Sequence, residues 1–125
     1  MSMPSRVVLR ESKDALMLTY SNGQEYTLPA EYLRVYSPSA EVRGHGERNE
    51  TLQFGKRLVT INTLEKSGNY ALQIVFSDGH DSGIYSWEYL RSLGQDYEEK
   101  WATYLEKLHI AGLSRDIDSQ VIKLM

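Results

Sequence analysis

The chain nearly repeats itself. Ala15-Leu16-Met17-Leu18-Thr19-Tyr20-Ser21-Asn22-Gly23, followed by Glu31-Tyr32-Leu33-Arg34, returns as Ala71-Leu72-Gln73-Ile74-Val75-Phe76-Ser77-Asp78-Gly79, followed by Glu88-Tyr89-Leu90-Arg91. The two spacings differ by one residue, a single insertion within a common unit. Each copy reads as strand, tight turn, strand, short helix. Asn-Gly and Asp-Gly between alternating apolar runs are strong hairpin signals, because these residues tolerate the positive φ of a type I′ turn. The expected architecture is therefore α+β: a small antiparallel β domain of two pseudo-repeated hairpins with short helices, plus a C-terminal helix.

A chain of 125 residues suits one domain and can bury a core without a staple. It contains no cysteine, which removes disulfides, thiolate metal sites, cysteine-ligated clusters and thiol nucleophiles together. Fourteen basic and 17 acidic residues are interspersed, for a net charge of −3. Nucleic acid is not an expected partner, since phosphate binding needs concentrated Lys and Arg. Val7-Val8-Leu9 is too short an apolar run for a signal peptide or a membrane span, and the expectation is a soluble cytoplasmic protein.

Arg6 to Arg10 reads as an edge strand. Leu16, Leu18 and Tyr20 begin the first hairpin, and Glu25 to Leu28 return. Pro29 suits a first helical position, with Ala30 to Tyr36 making the helix and Leu33 facing the sheet. Ser37 to Gln53 is polar and long for a connection, and such loops often carry function. Leu58, Val59 and Ile61 suggest a short strand, Glu65 to Asn69 a turn, and Tyr70 to Phe76 with His80 to Tyr85 the second hairpin. Ser86 reads as a helix N-cap rather than a nucleophile, and Gly94 as a helix stop. From about Asp96 to Leu108, Tyr97, Trp101, Tyr104, Leu105 and Leu108 fall on one helical stripe, a packing face. Leu113 to Met125 lacks a period and is expected to fray.

No P-loop, dinucleotide fingerprint, nucleophile elbow or paired histidines at i and i+4 is present. His109 suits the C-terminal end of a helix dipole. His80 stands where the first copy has Gln24 and reads as turn chemistry. His45 sits between Gly44 and Gly46 in the long loop. His80 with His45 and Asp81, Glu41 or Glu47 makes a divalent-metal site only if the fold gathers them. Arg34 and Arg43 bracket a Ser-Pro-Ser turn and can grip a small anion, the plainer reading of Arg34 being a solvated helix-end residue.

Leu-Pro-Ala-Glu-Tyr-Leu-Arg-Val-Tyr-Ser-Pro-Ser-Ala-Glu-Val-Arg-Gly-His-Gly and Phe-Ser-Asp-Gly-His-Asp-Ser-Gly-Ile-Tyr-Ser-Trp-Glu-Tyr-Leu resemble the bacterial DUF971 family, the gamma-butyrobetaine hydroxylase-like N-terminal domain. The resemblance covers about residues 6–93, with 94–111 as a C-terminal helix on the domain and 112–125 as a flexible tail. It implies that the iron- and 2-oxoglutarate-dependent chemistry of those hydroxylases belongs to a separate, larger domain, so that this chain is not an enzyme by itself. It also implies a structural zinc held in the hydroxylases by three cysteines and a histidine. Those positions fall here at Ser37, Ser39, Val42 and His80, so loss of the zinc site is expected. Family members also occur fused to, or encoded beside, Mrp-type P-loop ATPases that carry iron–sulfur clusters. The implied role is a non-catalytic protein-interaction domain, accessory to iron or iron–sulfur metabolism, with no cofactor. Its expected surface is Arg34, Ser37, Ser39, Arg43, His45, His80, Tyr85 and Trp87, with a homodimer as a further possibility. The alternative is a protein binding Fe or Zn, or an oxidoreductase component, through His80, His45 and Asp81.

Overall fold

The computed structural model describes residues 3–43 and 50–116. Two antiparallel three-stranded sheets are formed, one by β1 (Arg6–Leu9), β2 (Ala15–Thr19) and β3 (Glu25–Pro29). A four-residue turn of helix, α2 (Ala40–Arg43), follows the helix α1 (Ala30–Val35). The second sheet comprises β4 (Ile61–Ser67), β5 (Ala71–Phe76) and β6 (Ile84–Ser86), followed by α3 (Trp87–Gln95) and α4 (Tyr97–Ala111). Each repeat is thus a three-stranded meander with a helix at its exit. In each, the strand carrying the alternating apolar residues lies in the middle. Leu16 and Leu18 from one and Leu72, Ile74 and Phe76 from the other belong to a single core cluster, with Tyr32, Leu33, Tyr85, Leu90 and Leu93 from the exits.

The helices bind the repeats together reciprocally. The Tyr32 hydroxyl donates to the Leu93 carbonyl at 2.7 Å, and the Tyr89 hydroxyl donates to the Tyr36 carbonyl. Donors and acceptors are related by the same offset, so one bond is the pseudo-symmetric image of the other. The arginines follow suit: Arg34 reaches Asp78 in the second turn, and Arg91 reaches Gln24 beside the first. The two Glu-Tyr-Leu-Arg segments therefore occupy related places about a pseudo-dyad.

Several local expectations change. In both hairpin turns only the glycine has positive φ, 91° at Gly23 and 90° at Gly79. The Gly23 amide donates to the Tyr20 carbonyl and the Tyr20 amide to the Gln24 carbonyl, both at 2.9 Å, with the same pattern from Phe76 to His80. These are three-residue loops ending in a glycine bulge, not two-residue type I′ turns. Asn22 Oδ1 and Asp78 Oδ1 each accept the amide two residues on, which favours this loop over the two-residue form. Pro29 ends β3 and serves as the N-cap of α1, with ψ at 146°, so it is not a helical residue. β4 extends through Glu65, Lys66 and Ser67, where a turn was expected, because pairing with β5 holds a strand whose outer face is polar. Leu58 lies outside it and is 85% exposed.

Ser86 caps α3 as expected, its Oγ accepting the Tyr89 amide at 3.1 Å. Gly94 is not a stop but an interior residue of α3: a Cβ there would lie 2.5 Å from Tyr26 Cγ, so only glycine lets the helix approach β3 this closely. α3 ends instead at Asp96, whose amide donates to the Ser92 carbonyl, and the left-handed glycine cap belongs to α4, at Gly112. Tyr97 and Trp101 stack and pack with Tyr32, and Tyr104 and Leu108 are buried, so the aromatic stripe covers its own domain. The chain beyond Gly112 is ordered by contacts as far as Asp116. Arg115 makes a bidentate pair with Glu31 at 2.8 and 2.6 Å, and its carbonyl accepts the Arg57 amide. The rest of the expected tail, 117–125, lies outside the described residues. Among the described residues no helix is long and apolar enough to cross a membrane.

Candidate functional site: a closed serine–histidine cluster

The Ser37-Pro38-Ser39 turn between α1 and α2 lies against the start of the strand return in the second repeat. Ser37 Oγ is 2.8 Å and Ser39 Oγ 3.4 Å from His80 Nε2. Ser37 Oγ also accepts the Ser39 amide at 3.3 Å, and its contact with Nε2 holds in either direction, the donor being set by the tautomer of the ring. Nδ1 faces Glu41 Oε2 at 3.9 Å, and Glu41 is held by the Ser82 hydroxyl at 2.7 Å. Burial, and next the Arg34 guanidinium, hold His80 below its ordinary 6.5, with Glu41 and Asp78 pulling the other way. The ring is neutral at pH 7. Gly83 closes the cluster, since a Cβ there would stand 2.6 Å from Ser37 Oγ.

Serine, histidine and glutamate in this order invite comparison with a nucleophilic triad, which the geometry excludes. Ser37 is 0% exposed, so its hydroxyl meets no substrate. The 3.9 Å separation from Glu41 is beyond hydrogen-bond range, leaving no acid to orient the base. The cluster joins the two repeats through buried polar contacts.

Beside it runs an ion-pair bridge. Asp78 Oδ2 accepts Arg34 Nε at 2.9 Å and Lys56 Nζ at 2.6 Å. Burial raises the Asp78 carboxyl, but the Lys56 contact, the His80 amide and the Arg34 charge together outweigh it and hold it below the ordinary value. Arg34 is therefore neither a solvated helix end nor half of an anion clamp with Arg43. It is committed to Asp78, while Arg43 leans over the Tyr89 ring at 5.9 Å from its centroid.

Of the surface candidates, Arg34, Ser37, Ser39, His80, Tyr85 and Trp87 are all buried. Their side chains build the junction between repeats and do not form an exposed face. Tyr85 donates to the Leu33 carbonyl and Trp87 Nε1 to the Asn69 carbonyl. Arg43 remains exposed, and His45 and Glu47 lie outside the described residues. Asp81 is exposed, its carbonyl taken by Gln73. Among the described residues no group of three His, Cys, Asp or Glu side chains can hold a metal ion. Sequence reasoning missed the importance of Asp78. Its signal was the exchange of Asn22 for an acid at the matching turn position, opposite an arginine of the other repeat.

A model of the gamma-butyrobetaine hydroxylase-like N-terminal domain matches residues 7–91. The chain belongs to this family. Two proteins known from NMR solution structures are similar to it. One is 48% identical with a TM-score of 0.80, covering 91% of this chain and 90% of that one. The other is 44% identical with a TM-score of 0.76, covering 90% and 84%. A crystal structure of a DUF971 family protein of unknown function from Acidithiobacillus ferrooxidans is 31% identical over 74% of this chain and 93% of that one, with a TM-score of 0.62. No curated protein matches.

In this DUF971 domain Ser37, Ser39 and His80 meet in space, with the buried Val42 donating its amide to the Ser39 carbonyl. The donors do not fit zinc. Hydroxyls remain protonated and neutral, Val42 offers no donor atom, and His80 Nε2 is engaged by Ser37.

Proposed function

We propose that this DUF971 domain is a non-catalytic protein-interaction domain in which the hydroxylases' zinc-binding cysteines have been replaced by a hydrogen-bonded cluster. The observation that supports this most directly is the closure of the Ser37–Ser39–His80 cluster on itself, with both serines buried. Such a cluster fixes the relative position of the two repeats without a metal and leaves no general base facing solvent. An accessory role in iron or iron–sulfur metabolism, with a cluster-carrying P-loop ATPase as partner, rests on the family resemblance alone. The test combines elemental analysis with calorimetry. Protein produced with added iron and zinc should retain far less than one metal per chain, and should bind a purified Mrp-type ATPase from the same organism saturably. One equivalent of metal that disappears in His80→Gln would refute the metal-free reading, and absence of heat with the ATPase would refute the proposed partner.

A further inference from the structure

A concavity of about 340 Å³ opens between the end of α1, α2, Tyr89 of α3 and the middle of α4. Its walls are tied together by the reciprocal tyrosine network. The Tyr36 hydroxyl donates to the Lys100 carbonyl at 2.6 Å, and the Tyr89 hydroxyl donates to the Tyr36 carbonyl. Burial pushes the Tyr89 phenol up to about 12, so it stays a neutral donor. Val35 and Val42 supply a buried apolar floor. The pocket is thus preformed, and its volume is at the small end of the range for organic ligands.

Its charges are unevenly matched. Arg43 sits over the Tyr89 ring and Lys100 over the Tyr36 ring, with the Lys100 nitrogen 5.4 Å from the centroid. Neither has a carboxylate within ion-pair distance among the described residues. Lys107 and Glu50, also on the wall, neutralise each other at 3.4 Å. Among the described residues Glu99 is the one remaining acid of the lining, which leaves their balance at a single positive charge. Aromatic faces beneath the two cations restrict their side chains and reduce the entropy lost when they are engaged.

We propose that this pocket binds a small organic monocarboxylate, its carboxylate between Arg43 and Lys100 and its apolar body on Val35 and Val42. A dianion or a polyphosphate would set its additional charge against Glu99 and is disfavoured. Ser37 of the serine–histidine cluster stands in the pocket wall, but the ligand contacts proposed here are those of Arg43, Lys100, Val35 and Val42 and need no protein partner.

The test is a titration of the ¹⁵N-labelled chain with phenylacetate, its neutral analogue phenylacetamide, and phenyl phosphate. Phenylacetate should shift the Val42, Tyr89 and Thr103 amides saturably, and phenylacetamide should not. Arg43→Gln and Lys100→Gln should each weaken phenylacetate about tenfold or more, the loss expected for one charge-assisted contact. Lys66→Gln, an exposed position of β4 outside the pocket lining, should bind as the parent does. Unsaturable shifts, equal binding of phenylacetamide, or unchanged binding by both cation variants would overturn the site. Tighter binding of phenyl phosphate would overturn its assignment to monoanions.

Discussion

Replacing Tyr32 with phenylalanine deletes one oxygen and leaves the ring in place. The edge-to-face contacts to Tyr36, Tyr97 and Trp101, at centroid distances of 5.4, 4.7 and 6.2 Å, remain available to a phenyl ring. What is lost is the 2.7 Å bond to the Leu93 carbonyl, in the last turn of α3, where carbonyls have no intrahelical partner. Both residues are fully buried, so water cannot take over. Leaving a buried acceptor unpaired costs about 1–3 kcal/mol. For a domain of this size that corresponds to a fall in Tm of roughly 3–12 °C. Urea unfolding followed by far-UV circular dichroism should show a lower midpoint at unchanged slope. Tyr89→Phe, its image in the other repeat, should be destabilising through the same loss. A change below about 0.3 kcal/mol in Tyr32→Phe would refute the claim that this bond fastens one repeat to the other, because it would be smaller than any buried orphan carbonyl permits.

His80 has a folded pKa below its ordinary 6.5, so between the two values the unfolded chain binds more protons. Stability should therefore fall as pH drops below about 6.5, level off beneath the folded value, and show no such slope in His80→Gln, as read from urea midpoints across pH. Asp78, also held low, should add a second loss as pH falls below about 4, absent in Asp78→Asn. Gly94→Ala should destabilise by about 1–3 kcal/mol despite alanine's better helix propensity, because its Cβ meets the base of the Tyr26 ring; a more stable variant in calorimetry would refute the packing argument. The triple variant Ser37→Cys, Ser39→Cys, Val42→Cys should hold one zinc per chain after dialysis, and a metal-free, folded variant would show that these positions do not form a tetrahedral set with His80.

The architecture was legible because the repeat states it twice. Alternation through Leu16, Leu18 and Tyr20, and again through Leu72, Ile74 and Phe76, placed both central strands, since a half-buried strand must alternate. β4 was illegible for the complementary reason: Asn62, Thr63, Glu65 and Lys66 are all exposed and show no alternation, and only the partner strand makes it a strand. Gly94 was misread because close packing against Tyr26 leaves no local mark distinct from a helix stop. The gathering of Ser37, Ser39 and His80 followed from the family resemblance, whereas their burial did not. Whether a polar side chain faces water depends on what the other repeat lays over it, and here that is Gly83 and Tyr85. Arg43 and Lys100 come together only through α4, whose docking no short motif records.

The reciprocal tyrosine bonds make each repeat the missing partner of the other. A lone repeat would present Tyr32 without Leu93 and Tyr36 without Tyr89, yet two copies of one repeat, turned about a true two-fold axis, can satisfy the equivalent demands. The single chain is in this sense a symmetric dimer with its subunits joined end to end. Severing the connection between Arg43 and Glu50 should then yield two fragments that are unstructured apart and reassemble when mixed, with the linker supplying only their effective concentration.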